Sequence, residues 1–300
     1  MKNIGASIKD KLKQQARQQR VTMDFMMIRY ANERLLGRLA ASRWADDYCL
    51  KGGMLLPAWN DGDMFRPTAD IDINGLNDGD LAGFKEMVLA LSQMTPDDLG
   101  YDDGIDFLTE TVADTYQREG GADGGKIEMK AKLHTSPIPV RIDVSFGNPV
   151  TPSVDHGDYP CLFRADKKTP LPMPKIHMYP PETAVSEKLH ALASFGSFNT
   201  RIRDYYDLHI LFEKFDFSDD MLAEAFQKTF AKQERDLPDD LPALSEEYAE
   251  ENRGKWAKFN ESTNLRDAVP DFHDVVTTIR DRLTTPLDLA REGSAGYSPA

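Results

Sequence analysis

The sequence predicts an α+β fold: a mixed sheet with flanking helices, followed by a mainly helical C-terminal half. Three observations carry this. Apolar residues alternate with period two at Ile127, Met129, Ala131 and Leu133, and again at Val140, Ile142, Val144 and Phe146. That is the pattern of strands burying one face. A third alternating stretch, RPTADIDING at 66–75, threads Ile71 and Ile73 between Asp70 and Asp72. From Pro181 onward the apolar spacing turns helical. The change of character sets an expected domain boundary near residue 175, giving 1–175 and 176–300.

Taken in order, residues 6–20 are charged and helix-friendly. The stretch 25–42 places Phe25, Ile28, Leu35, Leu36 and Leu39 at helical spacing. DDYCLKGGMLL is a short apolar burst around a Gly-Gly pair, and residues 80–94 read as a helix. Two extended stretches follow, GIDFLTETVADTY and KIEMKAKLH, with REGGADGG between them as the expected hairpin turn. In PVRIDVSFG, Arg141, Asp143 and Ser145 share the face opposite the apolar residues. Residues 149–181 are proline-rich and read as linking sequence. PPETAVSEKLHALASF opens on prolines suited to a helix entrance. RIRDYYDLHILFEKF, MLAEAFQKTFAKQ and DFHDVVTTIRDRL continue the helical half. The charged segment 232–264 reads as a mobile helical or irregular excursion, and the last dozen residues as a loose tail.

Composition narrows the function. Of 300 residues, 40% are hydrophobic and 29% charged, enough to bury a core. No apolar run approaches a membrane span, and the N-terminus lacks the apolar core of a secretory signal. Cys49 and Cys161 offer neither a disulfide framework nor zinc spacing. A cytoplasmic location without membrane attachment is expected. The net charge of −14 argues against broad adhesion to nucleic acid. Locally, Lys2, Lys9, Lys11, Lys13, Arg17, Arg20, Arg29, Arg34 and Arg38 outnumber Asp10, Asp24 and Glu33. This is either a solvated helix face or a basic surface for a phosphate backbone.

Two apparent motifs fail on their own chemistry. DIDINGLNDGDL begins like a calcium loop, but its twelfth position is Leu81, not a bidentate glutamate. GGADGGKI sets Gly120, Gly125 and Lys126 at P-loop spacing, yet Ile127 replaces the hydroxyl residue and a strand pattern follows. The histidines His134, His156, His177, His190 and His209 have no ligand spacing and read as structural or surface groups.

The carboxylates are harder to dismiss. Asp70 and Asp72, two apart on a strand, point the same way, and such a pair repels itself unless a cation intervenes. Asp-x-Asp alone on a wet strand face is common. Here Gly52 and Gly53 precede it in a turn that lets phosphates approach backbone amides, and Asp143 supplies a third acid from another strand. Three acids from two strands can hold two magnesium ions around an in-line displacement at phosphorus. On the helical wheel Lys188 falls among Ala184, Val185, Ala191, Leu192 and Phe195. A lysine there either snorkels or meets an anion. Asp204 shares a side with Leu208 and Leu211, where Arg201 or Arg203 could neutralise it.

A Gly-Gly turn, an Asp-x-Asp strand and a third strand aspartate resemble the polymerase-beta type of nucleotidyltransferase. More narrowly, ERLLGRLAAS…YCLKGGMLL, RPTADIDI, ETAVSEKLHAL and RIRDYYDLHIL resemble the AbiEii/AbiGii-type toxin nucleotidyltransferases. The likeness runs from about residue 6 to about 215 and leaves the charged C-terminal segment unmatched. It implies a nucleotidyltransferase domain at 1–175 and a helical domain at 176–300 completing a nucleotide cleft. It also implies that Gly52 and Gly53 hold the triphosphate, with Arg66 and Thr68 beside the metal strand. Thr68 keeps the hydroxyl of the serine that the family often has. Asp70 and Asp72 would bind Mg2+, Lys188 would reach the phosphates, and Asp204 or Asp207 would carry the last family motif. Asp143 is carried from the broader fold. The implied activity moves NMP from an NTP to an acceptor, expected to be the 3′ end of tRNA, blocking translation. A separately encoded antitoxin would accompany this type IV toxin. Two other readings stay open: a transferase acting on a protein or small molecule, and a catalytically silent nucleotide-binding module. Intact Asp70, Asp72 and Lys188 argue against the silent one.

Overall fold

A computed structural model of the protein describes residues 4–63, 66–117, 124–163, 171–263 and 269–295. Most of the expected hairpin turn REGGADGG, with Gly120, lies outside these residues, as do residues 296–300 of the expected tail. The chain divides into two compact units, Met1–Asn148 with Asp155–Met178, and Pro149–Val154 with Tyr179–Ala300. The first is α+β and the second helical.

In the first unit the chain runs α1 (Ile4–Gln19), α2 (Met23–Ala40), β1 (Tyr48–Lys51), a 3-10 turn (Gly52–Leu55) and β2 (Ile71–Gly75). It continues through α3 (Leu81–Gln93), α4 (Pro96–Leu99), β3 (Ile105–Gln117), β4 (Gly125–Leu133), β5 (Ser136–Phe146), β6 (Asp155–Asp158) and β7 (Lys175–Met178). The seven strands form one sheet in the order β3-β4-β5-β2-β1-β7-β6. β2 runs parallel to β5 and β1 parallel to β7; the other neighbours are antiparallel. Local chemistry sets the helix starts. Thr22 accepts from the Phe25 amide at 3.2 Å, and Asp80 from the Gly83 amide at 2.7 Å, each an N-cap. Asp80 and Leu81 therefore open a helix, which is what became of the apparent calcium loop.

The alternating strands behave as their pattern demands. β4 alternates buried and exposed along its whole length, and Val140, Ile142, Val144 and Phe146 of β5 are all buried. The proline-rich stretch corrects the sequence reading: it contributes β6 and β7 to the sheet. Each is four residues long, and β6 (DHGD) is an edge strand with no apolar alternation to betray it.

α2 departs more sharply from its pattern. Phe25 and Ile28 are only half-buried, whereas Arg29, Asn32, Glu33, Arg34 and Arg38 are buried. Buried charges persist only when partnered. Arg29 Nε lies 2.9 Å from Glu33, whose other oxygen accepts from the Leu162 amide at 2.9 Å. Arg38 grips Asp103 with two nitrogens at 2.7 and 3.3 Å. Burial raises the Glu33 carboxyl, with Arg29 and Arg34 opposing it. Arg29 and Arg38 are thus structural, Arg34 is buried beside them, and the expected basic surface shrinks to α1 and the residues beside it.

The second unit holds α5 (Pro181–Phe195), α6 (Ile202–Lys214), α7 (Asp219–Lys232), α8 (Glu246–Thr263) and α9 (Phe272–Ala295). Residues 149–154 join it because the Thr151 amide donates to the Thr183 hydroxyl at 2.8 Å, and that hydroxyl donates back to the Thr151 carbonyl at 2.9 Å. Of the charged segment 232–264, residues 246–263 form the helix α8, and the stretch before it is largely irregular. α8 buries Tyr248, Ala249, Asn252 and Trp256. Tyr248 stacks on Tyr205 at 5.5 Å and Trp256 on Phe272 at 5.0 Å. Four anchoring residues among many charges are too sparse for a periodicity reading. Most of the expected loose tail is likewise helical, since α9 continues through Pro286 to Ala295.

The Arg38–Asp103 pair yields a stability test. Asp103→Ala strands a buried guanidinium and is expected to cost about 3–5 kcal/mol, read as a lower urea midpoint for the first unit. An unchanged midpoint would refute a structural role for this pair.

Candidate active site

One row of residues crosses the middle of the sheet. Lys126 of β4 stands opposite Asp143 of β5, Asp143 beside Asp72 of β2, and Asp72 opposite Lys51 of β1. Residues paired in this way share a sheet face. The row therefore reads Lys-Asp-Asp-Lys across adjacent strands, with the two aspartates at its centre. The parallel pairing of β2 and β5 is what puts them abreast.

The glycine bend is built against this row. Gly52 has φ +69°, the left-handed region, and a β-carbon there would collide with the Asp72 carboxylate. A β-carbon on Gly53 would sit 2.8 Å from the Thr68 hydroxyl oxygen and 3.3 Å from an Arg66 guanidinium nitrogen. Gly52, Gly53, Arg66, Thr68 and Asp72 thus meet at one corner. Arg66 is buried there and also donates to the Pro67 carbonyl at 3.3 Å.

Asp70 is less central. It precedes β2, is exposed, and lies 3.9 Å from Arg141, which in turn lies 3.3 Å from Glu128. Such an exposed pair holds Asp70 only weakly. Among the described residues no group of three or more His, Cys, Asp or Glu side chains is arranged to hold a metal ion. The acids share a face without closing a cage. The donor set nonetheless suits magnesium, which takes hard carboxylate oxygens in ones and twos and completes its shell with water and phosphate. A cation already sits there: the Lys126 ammonium lies 2.9 Å from Asp143. Its hydrogen bond to Asp143 raises the Lys126 pKa, with Asp143, Asp70 and Asp72 adding charge in the same direction against a small burial cost. Lys126 was missed by sequence reasoning, which met it only inside a rejected P-loop. Its strand position opposite Asp143 was the available signal.

A second cluster lies in the helical unit. Lys188 Nζ is 3.0 Å from Asp204 and 2.7 Å from Asp207, with its side chain 17% exposed. Arg201 Nε lies 2.6 Å from the other Asp204 oxygen. Burial would raise the Asp204 carboxyl, but Lys188 and Arg201 outweigh it, and the group is held below the ordinary carboxylate value despite Asp207. The wheel reading of Lys188 and Asp204 as misplaced on a plain amphipathic helix resolves into this network. Arg201, not Arg203, is the arginine in contact. Both aspartates of RDYYDL are engaged, so Asp204 and Asp207 act on Lys188 together.

Two carboxylates abreast beside a glycine bend form the candidate site. The model of the AbiEii family, nucleotidyl transferase toxins of type IV toxin–antitoxin systems, matches residues 34–278, and the chain belongs to that family. MenT4, a nucleotidyltransferase toxin from Mycobacterium tuberculosis H37Rv, is 15% identical, covers 89% of this chain and 94% of its own, and superposes with a TM-score of 0.51. JHP933 from Helicobacter pylori is 14% identical, with 89% and 95% covered and a TM-score of 0.47. No protein of curated function matches.

The Lys188 network sets a pH signature. Because the folded Asp204 pKa is depressed, its stabilising contribution is full above the unfolded value of about 3.8 and is lost as pH falls through the folded one. Lys188→Met removes the main opposing cation, so its destabilisation should be largest near neutral pH and shrink as pH falls below about 4. Urea midpoints of both proteins at pH 7 and pH 3 check this; a pH-independent difference would contradict it.

Proposed function

We propose that this toxin transfers NMP from a nucleoside triphosphate to a hydroxyl at the 3′ end of tRNA, with magnesium held by Asp72 and Asp143 and assisted by Asp70. The observation that carries the proposal is the in-register meeting of Asp72 and Asp143 beside the Gly52–Gly53 bend. Bound there, magnesium would neutralise the triphosphate and the charge developing in the transition state, and a second ion would complete a two-ion site.

The chain's own residues supply the rest. The glycine bend admits phosphate oxygens to backbone amides, with Arg66 and Thr68 beside it. The acceptor oxygen attacks the α-phosphorus, the bond to the bridging oxygen breaks, and pyrophosphate leaves in line. Asp143 would help take the acceptor proton. Gly52, Gly53, Arg66 and Thr68 are the proposed nucleotide-binding residues of the first unit; in the helical unit Lys188, oriented by Asp204 and Asp207, is the proposed phosphate-neutralising group, with Asp207 a proposed nucleotide-binding residue beside it. Adding a nucleotide to the 3′ end of tRNA would cap the terminus that must carry the amino acid and so stop translation. A separately encoded antitoxin is the proposed restraint, as family membership implies. The proposed location is the cytoplasm; no helix among the described residues is long and apolar enough to cross a membrane. The proposed domains, 1–175 and 176–300, meet close to where the compact units divide.

A protein or small-molecule acceptor is the second reading, favoured by the net charge of −14 and by the burial of Arg29, Arg34 and Arg38. One experiment separates the two. Incubation with each labelled NTP, total RNA and cell extract should place label on tRNA ends, with EDTA abolishing transfer. Asp72→Ala should reduce transfer on the order of 10³-fold. Label entering protein or a small molecule alone would overturn the RNA acceptor. Full cellular toxicity of Asp72→Ala would overturn catalysis as the basis of toxicity.

A further inference from the structure

Lys126 occupies a place that an incoming cation must contest. It lies 2.9 Å from Asp143, on the flank of Asp143 away from Asp72 in the strand order. Its position is set by the backbone. Gly124, at φ +125°, lies so close to β5 that a β-carbon would collide with the Val144 carbonyl and approach Ser145 Cα at 3.0 Å. Only glycine lets β4 enter at this register, which pairs Gly125 with Val144 and Lys126 with Asp143. On the two sides of the acid pair, a glycine thus fixes a neighbour: Gly52 against Asp72 and Gly124 ahead of Lys126. The Lys126 side chain is 54% exposed, so water reaches its ion pair with Asp143 and the pair can exchange. Two like charges abreast, Asp72 and Asp143, need a counter-cation in any state of the protein.

We propose that Lys126 is the resident counter-cation of the Asp72–Asp143 face, held on Asp143 when no divalent ion is bound and displaced from it when one binds. This rests on the magnesium reading above. Lys126 is a positioning residue: it keeps the carboxylate face intact between turnovers and weakens ion binding until the triphosphate brings its own negative charge. The displaced ammonium then faces phosphate oxygens. Metal and nucleotide would bind cooperatively for this reason.

The test is Mn2+ binding to the full chain without nucleotide, followed by the EPR signal of the free ion. Lys126→Gln should bind Mn2+ about tenfold more tightly than the wild type, from removal of one positive charge near a divalent ion in largely water-screened surroundings. Lys126→Arg should restore the wild-type affinity. Lys130→Gln, two positions further out on the same face and opposite Pro139, should leave it unchanged. Added ATP should tighten Mn2+ binding more in the wild type than in Lys126→Gln. Equal Mn2+ affinity in wild type and Lys126→Gln, or equal tightening in Lys130→Gln, would overturn the counter-cation role while leaving the metal site standing. Failure of the wild type to bind Mn2+ with or without ATP would overturn the metal reading itself, and this inference with it.

Discussion

The parallel pairing of β2 with β5 is the constraint on which the site depends. In this register Ile71, Asp72 and Ile73 stand beside Ile142, Asp143 and Val144. The apolar partners are buried, so the register is locked by the core, and a slip of one residue in either strand would turn that strand's aspartate into it. Hydrophobic burial thereby holds two carboxylates abreast against their mutual repulsion. The energy that builds the sheet is what makes an anionic, cation-hungry face possible.

Around that pair the chain spends glycine where ordinary residues would not fit. Gly52 admits the Asp72 carboxylate to the turn, and Gly53 admits Thr68 and Arg66. A glycine backbone packed this closely against β2 is the kind of turn that lets an anion approach the amides. The helical unit has its own charge arrangement, in which Lys188 is fixed by two buried carboxylates rather than left to wander. A lysine so restrained has lost much of its rotamer entropy in advance, which suits the phosphate-binding role proposed for it.

Much of this was legible in the sequence, for physical reasons. β4 and β5 bury one face each, so their alternation was plain, and the Gly-Gly bend with Asp70 and Asp72 stood out because carboxylates interrupt an apolar pattern. Lys188 and Asp204 were visible as charges on apolar helix arcs. Other features left no local trace. β6 and β7 are short and flanked by prolines, and their strand character comes from the neighbours they pair with. The charged side of α2 is buried because Asp103 and the Leu162 amide, distant in sequence, satisfy it. Lys126 carried its meaning only through the cross-strand register. The nearness of Arg141 to the exposed Asp70 was equally invisible.

The central claim is that Asp72 and Asp143 hold a divalent ion between adjacent strands. Anomalous diffraction from crystals grown with Mn2+ and a non-hydrolysable NTP addresses it directly. The account predicts a manganese peak about 2.1–2.2 Å from oxygens of both carboxylates, with phosphate oxygens completing the shell beside Gly52 and Gly53. A peak bound elsewhere, or nucleotide bound in full with no metal at this pair, would contradict it.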